Sequence, residues 1–237
     1  MPNSLYVIHG SHPCAAVERA FALKGIAYKR VELPPPMHVV HQRLRFGQRT
    51  VPALKPATGD HVVGSRAIMR WAERTAPEPR LIPPEPERRA AVEAAEAWGD
   101  ETYQPIARRV LWPAFARSPR AMVSYQEGSR FPFPTPLLLA LAPVVTRIER
   151  RLNDATDANL RTDLAALPGH LDRIDAWIAE GVLAGEDPNV ADLQIAATSR
   201  LLLTIGDVEP LFAGRPARDH ALLVFPDAPG RVPAGVF

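Results

Sequence analysis

The chain has 237 residues, enough for one large domain or two small ones, and its 46% hydrophobic and 23% charged residues are ordinary for a globular protein. Its net charge of +2 does not favour a nucleic-acid partner. No apolar run approaches the roughly 18 residues that span a bilayer, so we expect no membrane partner either. The single cysteine excludes an internal disulfide framework, and the N-terminus lacks a secretion signal. These features predict a cytoplasmic protein.

The first eighty residues alternate strand and helix patterns, and glycine or proline ends several of them. The spacing of apolar residues predicts the order β-α-β-α-β-β-α. The predicted strands are 5–8, 28–33, 51–54 and 61–63, and the predicted helices are 13–24, 39–46 (a short helix or an irregular turn) and 66–75.

The pattern changes after a proline-rich segment at 77–87, which predicts a linker between two domains. We expect the first domain to occupy 1–76, an all-helical domain to occupy 88–214, and an extended tail to occupy 215–237. The tail is predicted because proline and glycine are frequent there. The helices predicted in the second domain are 87–117, 137–153, 159–166, 168–180 and 189–204, with a loop at 118–136.

A four-residue turn, Ser11-His12-Pro13-Cys14, separates the first predicted strand from the first helix. A helix N-terminus offers unpaired backbone N–H groups and the positive end of the helix dipole, which together stabilise a thiolate. Ser11 and Cys14 stand three residues apart, the spacing of a C-x-x-C motif with serine first. The turn therefore predicts sulfur chemistry but leaves open whether the sulfur belongs to Cys14 or to a ligand.

Three motifs, in this order, resemble those of the cytosolic glutathione S-transferases, zeta-like or omega-like members included. The first joins Leu5-Tyr6, the turn at 11–14 and the segment 20–28, and it resembles the opening strand, active-site turn and first helix of that family. The second joins Thr50-Val51-Pro52-Ala53-Leu54 to Gly64-Ser65-Arg66, and it resembles the cis-proline and thiol-tripeptide site of that family. The third, 185–192, resembles the capping segment of the family's helical domain. The resemblance implies a thioredoxin-like α/β N-terminal domain followed by an all-α helical bundle. Asn189 and Asp192 in the third motif have the spacing of a helix cap, so we assign them to folding.

The same resemblance implies that glutathione, or another low-molecular-weight thiol, is the co-substrate. Ser11 would then donate a hydrogen bond to the ligand thiol, whereas a catalytic Cys14 would form a mixed disulfide. Cys14 also fits a small apolar residue in the first turn of a buried helix, and this interpretation is favoured. The residues that would contact the thiol ligand are His12, Pro13, Thr50, Val51, Pro52, Ser65 and Arg66. Gly64 departs from the family, which has an acidic residue or glutamine there, and Asp100 is a candidate replacement.

The second substrate would be a small electrophile bound between the domains. Tyr103, Trp112 and Phe115 are candidates for its apolar wall, although aromatic residues at helical spacing also form cores. We expect no metal, and the resemblance implies a homodimer. The favoured function is a transferase that activates a thiol for attack on an apolar electrophile. The alternatives are a non-catalytic binding or scaffold protein, which Gly64 favours, and an isomerase of the maleylacetoacetate type.

Overall fold

A four-stranded sheet with flanking helices forms the first third of the molecule. The computed structural model describes residues 2–237. The elements of this part are β1 (Ser4–Val7), α1 (His12–Leu23), β2 (Lys29–Glu32), α2 (His38–Phe46), β3 (Ala53–Lys55), β4 (Val62–Val63) and α3 (Ser65–Thr75). Their order is the predicted β-α-β-α-β-β-α order, so the thioredoxin-like fold class is confirmed.

The strands lie in the order β2-β1-β3-β4, with β1 parallel to β2 and antiparallel to β3. Tyr6 is opposite Val31 on one side and Ala53 on the other. Leu5 and Val7 alternate with Tyr6, and both join the main core. The sheet thus places the end of β1, and the turn that follows it, close to the loop that precedes β3.

Helices form the rest of the fold, as predicted. They are α4 (Pro86–Trp98), α5 (Gln104–Arg117), α6 (Ala121–Ser124), α7 (Thr135–Leu152), α8 (Asp157–Ala179), α9 (Val190–Leu202) and α10 (Pro216–Val224). A π-helical segment, Gly99–Tyr103, joins α4 to α5. The central helix is α9, which packs against α1, α4, α5 and α10 and is buried on almost every face.

The prediction of two helices at 159–166 and 168–180 is wrong, because α8 continues through Pro168. Proline removes one backbone hydrogen bond from a helix interior, which normally ends or kinks the helix. Here Leu160, Leu167 and Leu171 are buried on both sides of the proline. Their packing against neighbouring helices outweighs the lost bond, and periodicity alone does not reveal that.

The prediction of an extended tail at 215–237 is also wrong for much of that segment. Ala217 and Ala221 bury one face of α10 in the core, and Val232 pairs with Ile205 in an isolated β-bridge. The Asp207 carboxylate accepts hydrogen bonds from the last three backbone N–H groups, 235–237, at 2.5–3.0 Å. Long-range packing and this one carboxylate fix a segment whose composition is typical of a loop.

Within residues 2–237, no helix has the length and apolarity required to cross a membrane. Over the same residues, no group of three or more histidine, cysteine or acidic side chains is arranged to hold a metal ion.

Candidate active site

A cavity of about 300 Å³ lies between the sheet domain and the helical domain. In the sheet domain its walls come from the turn after β1, the end of β2, the start of α2 and the loop before β3. In the helical domain they come from α5, the segment 122–133, α7 and Leu201 of α9. Most of the lining is apolar. The ring centroids of Trp112 and Phe115 stand 5.6 Å apart at one wall, in an edge-to-face arrangement. The site can therefore hold a small apolar molecule beside the turn that contains Ser11.

Ser11 occupies the N-cap position of α1 and lines the cavity. Its backbone is extended, and its hydroxyl makes no capping hydrogen bond to the helix. The hydroxyl therefore makes no bond to a backbone N–H group of α1, although serine at this position usually caps. Its side-chain partner in the first turn is the Cys14 thiol. The helix dipole and this hydroxyl together favour negative charge at the entrance to the turn.

Cys14 is 1% exposed and does not line the cavity. Burial raises the pKa of its thiol to about 12, although the Ser11 hydroxyl and the Ile8 backbone act in the opposite direction. A group with that pKa remains a neutral thiol at physiological pH, and the thiolate is the nucleophile in cysteine chemistry. The structure thus places Cys14 in the core, the structural alternative left open by the sequence.

His12 and Pro13 lie in the first turn of α1, and both line the cavity. Burial and the nearby Arg108 guanidinium lower the pKa of His12 well below its usual value, so the imidazole is neutral. Its Nε2 atom has no hydrogen-bond partner among residues 2–237. A neutral imidazole with a free nitrogen can donate to or accept from a ligand, depending on its tautomer.

Thr50 and Val51 line the cavity, and the Val51–Pro52 peptide bond is cis, as the resemblance implied. The Gly64 N–H donates to the Pro52 carbonyl oxygen at 3.0 Å, which holds the start of α3 beside the proline. Gly64 has a φ of +92°, in the region that favours glycine. This backbone requirement gives glycine a conformational role at the position where the family has an acidic residue or glutamine.

Ser65 begins α3 and is buried, and it is not part of the cavity lining. Arg66, beside it, is directed to acidic residues of the helical domain: its guanidinium lies 3.5 Å from Glu96 and 3.2 Å from Glu101. These ion pairs join the two domains. The predicted contact between Arg66 and a thiol ligand therefore competes with two carboxylates of the chain itself.

Asp100 lies in the π-helical segment, a type of helical irregularity that is frequent at functional sites. Its carboxylate accepts hydrogen bonds from Gln104 and Gln194. Burial raises the pKa of Asp100, while the positive charges of Arg66 and Arg108 act in the opposite direction. Asp100 is thus held at the domain boundary, close to the helix that Ser65 begins.

Tyr103 does not line the cavity, in contrast to its prediction as a wall residue. It is fully buried, its hydroxyl bonds to Ser199 at 3.0 Å, and its ring stacks on Trp98. The other two predicted wall residues, Trp112 and Phe115, do line the cavity. Tyr103 precedes them in the π-helical segment, so its side chain points into the helical core instead.

Several polar residues of the cavity were not predicted from the sequence, among them His38, Arg49, Arg108 and Glu149. Arg49 and Arg108 form no ion pair with a carboxylate of the described residues, although Arg108 donates to Gln104 at 2.7 Å. The adjacent arginines at 108 and 109 are visible in the sequence, but only the structure separates their roles. Arg108 lines the cavity, whereas Arg109 pairs with Asp163. His38 and Glu149 are far apart in the sequence, and no local pattern links them.

Glu149 gives the cavity a titratable group near neutral pH, since burial raises its pKa to about 7 while Asn153 and Arg49 act in the opposite direction. Between the lower pKa of Glu149 in the unfolded chain and its raised pKa in the folded chain, the folded chain keeps a proton on Glu149 that the unfolded chain has released. This contribution to stability is complete at low pH and is lost as the pH rises toward 7. We expect Glu149→Gln to gain stability relative to the wild type, by on the order of 1–3 kcal/mol, between about pH 5 and pH 8.

Urea unfolding of both proteins across that pH range is the measurement. The exposed Glu127 supplies a matched control, because Glu127→Gln should follow the wild-type curve. A constant difference between Glu149→Gln and the wild type at every pH would contradict a titrating Glu149.

Comparison with known proteins agrees with this geometry. Residues 5–80 match the family model described as the N-terminal domain of glutathione S-transferase, so this segment belongs to that domain family. The resemblance predicted from the motifs is therefore confirmed for the first domain, over residues 5–80. No match is found among curated protein sequences.

Solved structures share the fold over almost the whole chain. A glutathione S-transferase from Rhodospirillum rubrum F11 is 23% identical with a TM-score of 0.65, covering 94% of this chain and 87% of its own. The beta-etherase LigF from Sphingobium sp. strain SYK-6 is 18% identical with a TM-score of 0.63, covering 94% and 99%. A maleyl pyruvate isomerase, a bacterial zeta-class glutathione S-transferase, is 18% identical with a TM-score of 0.60, covering 92% and 89%. At these identities the likeness establishes the fold alone.

Proposed function

We propose that the protein is a cytoplasmic transferase that activates the thiol of glutathione, or of another low-molecular-weight thiol, for attack on a small apolar electrophile. The observation that carries the proposal is the Ser11 hydroxyl, which makes no capping bond at the N-terminus of α1 and lines a largely apolar cavity. The hydroxyl would donate a hydrogen bond to the ligand sulfur. That bond and the helix dipole stabilise the thiolate over the thiol and so lower the pKa of the ligand.

The residues around the turn fit a thiol tripeptide in part. The backbone of Val51, held by the cis bond to Pro52, can pair with an extended peptide as a neighbouring strand would. Ser65 at the N-terminus of α3 can hold a carboxylate. Gly64 contributes no side chain, and we propose that Asp100 supplies the carboxylate for the ligand's amino group. The positive charge of Arg66 is close enough to act on the Asp100 carboxylate, and Arg66 directly follows Ser65. Asp100 therefore lies near the proposed binding site of the ligand.

The electrophile would occupy the cavity beside the thiolate, against Trp112 and Phe115. The aromatic wall excludes water from the attacking sulfur, which strengthens the hydrogen bond from Ser11. A homodimer, which the family resemblance implies, remains a prediction.

A second candidate function is thiol-assisted isomerisation of a small dicarboxylate. The guanidinium groups of Arg49 and Arg108 favour it, because both line the cavity without an ion pair to a carboxylate of the described residues. Arginine recognises carboxylates through paired N–H donors. The maleyl pyruvate isomerase among the similar structures makes this a chemically specific alternative.

Calorimetric titration with glutathione, followed by a conjugation assay with chlorodinitrobenzene, tests the transferase. We expect a dissociation constant of about 1 mM or tighter, and conjugation faster than the uncatalysed reaction. Binding without turnover of any electrophile would contradict the transferase and favour the scaffold alternative. Absence of binding to glutathione and to other cellular thiols would contradict both enzymatic candidates.

A further inference from the structure

His38 and Glu149 bring two buried polar groups together in the part of the cavity formed by α2 and α7. His38 is the first residue of α2, and Glu149 lies in the last turn of α7. Their side chains are 10% and 5% exposed, and both residues line the cavity. The His38 Nδ1 atom is 4.0 Å from the Glu149 Oε1 atom, which is too long for a hydrogen bond.

Neither of these two atoms has a hydrogen-bond partner among residues 2–237. The other carboxylate oxygen of Glu149 accepts from the Asn153 amide at 3.3 Å, which fixes the orientation of the carboxyl group. A buried polar atom left unpaired costs free energy, and proteins usually satisfy such atoms. Two of them side by side in a ligand-sized cavity indicate a place for a polar group of a ligand.

We infer that His38 and Glu149 form a subsite that binds a hydroxyl group of the electrophile. An oxygen placed about 2.8 Å from both atoms would bond to both, since they are 4.0 Å apart. It would donate its proton to Glu149 and accept one from the Nδ1–H tautomer of His38. A hydroxyl group both donates and accepts, whereas an ether oxygen cannot donate and an ammonium group cannot accept.

The charges around the subsite suit a neutral polar group. Burial lowers the pKa of His38 to about 4, so its imidazole is uncharged, and burial raises the pKa of Glu149 to about 7. The groups that face Glu149 are Asn153 on its own helix, His38 on α2 and Arg49 on the loop before β3. Arg49 already supplies a positive charge near Glu149, so the ligand group bound there need not be a cation.

The inference rests on the proposed function only in calling the ligand an electrophile, so binding without a thiol tests it. The probes are para-hydroxybenzylideneacetone and its para-methoxy analogue, which have the same aromatic enone and differ in the hydroxyl proton. Calorimetric titration of the wild type should show about tenfold tighter binding of the hydroxyl compound. Glu149→Leu and His38→Leu should each reduce this preference to about twofold or less.

The matched control is Glu127→Leu, which removes an exposed carboxylate outside the cavity lining and should keep the full preference. Two independent variants guard against misfolding of either one. Equal affinity of the two probes for the wild type would overturn the subsite, as would an unchanged preference in both leucine variants. A preserved preference together with no thiol addition would contradict the proposed transferase and leave the subsite supported.

Discussion

Ser11→Ala should lower kcat/KM for conjugation of a thiol with chlorodinitrobenzene by about 10²–10³-fold. The change removes the one hydroxyl at the turn that can donate to the ligand sulfur, and loss of a single such donor to a developing anion has an effect of this size in other enzymes. The hydroxyl makes no capping bond to α1, so the variant should keep its thermal stability. Steady-state kinetics with thermal unfolding as a companion measurement test this expectation.

Cys14→Ala is the matched control, because it changes the other sulfur-related residue of the same turn. Cys14 lies in the core as a neutral thiol, so we expect conjugation within about threefold of the wild type and a stability loss typical of a small buried change. The reverse result, with activity lost in Cys14→Ala and kept in Ser11→Ala, would assign the chemistry to the cysteine.

Asp192→Ala should have the largest effect on stability, a loss of about 3–5 kcal/mol. The Asp192 carboxylate is 1% exposed and accepts from the backbone N–H groups of Asn189 and Ala184 at 2.8 Å. His220 of α10 contacts the same carboxylate at 2.7 Å. Removing the carboxylate leaves the buried Asn189 and His220 without this bond, and the exposed Ala184 loses its partner as well, which together costs more than one helix cap.

Urea unfolding measures this loss, and the midpoint of thermal unfolding should fall by roughly 6–20 °C for a chain of this length. Asp187, five residues earlier, is exposed, and Asp187→Ala should stay within about 0.5 kcal/mol of the wild type. A loss of about 1 kcal/mol in Asp192→Ala would mean that the residue acts only as a cap for α9.

The folding role of Asp192 was predictable from sequence, but its extent was not. The spacing of Asn189 and Asp192 predicts a capping box, and the structure has both of its hydrogen bonds. The contact with His220 depends on α10. This helix was not predicted, because the frequent prolines and glycines of the tail are typical of an extended segment. Because α10 is short and is held by α9, its stability comes from packing that a local pattern does not contain.

The candidate site also has a part that the sequence could predict and a part that it could not. The turn at Ser11, the cis bond before Pro52 and the start of α3 at Ser65 have local signatures, so these parts of the proposed thiol site could be located from the sequence. The cavity beside them depends on how α5 and α7 approach the sheet. Periodicity indicated that Tyr103 and Trp112 lie on helices, but only the packing separates a core residue from a wall residue.

His38 and Glu149 are the site residues that the sequence could predict least. Sequence patterns favour an exposed position for both residues, because His38 is an isolated histidine near a weak helix and Glu149 stands beside two arginines. No pattern in either segment indicates contact with the other. Their proximity follows from tertiary structure, and their shifted pKa values follow from the burial that this proximity creates.

The pKa of the bound thiol is the most direct test of the central claim that Ser11 stabilises the thiolate of a ligand. Ultraviolet difference spectra of the protein with saturating glutathione, recorded across pH, follow thiolate formation. We expect a bound thiol pKa well below that of free glutathione in the wild type and in Cys14→Ala, and a value close to that of free glutathione in Ser11→Ala. An unshifted pKa in the wild type, or a shift that disappears only in Cys14→Ala, would contradict it.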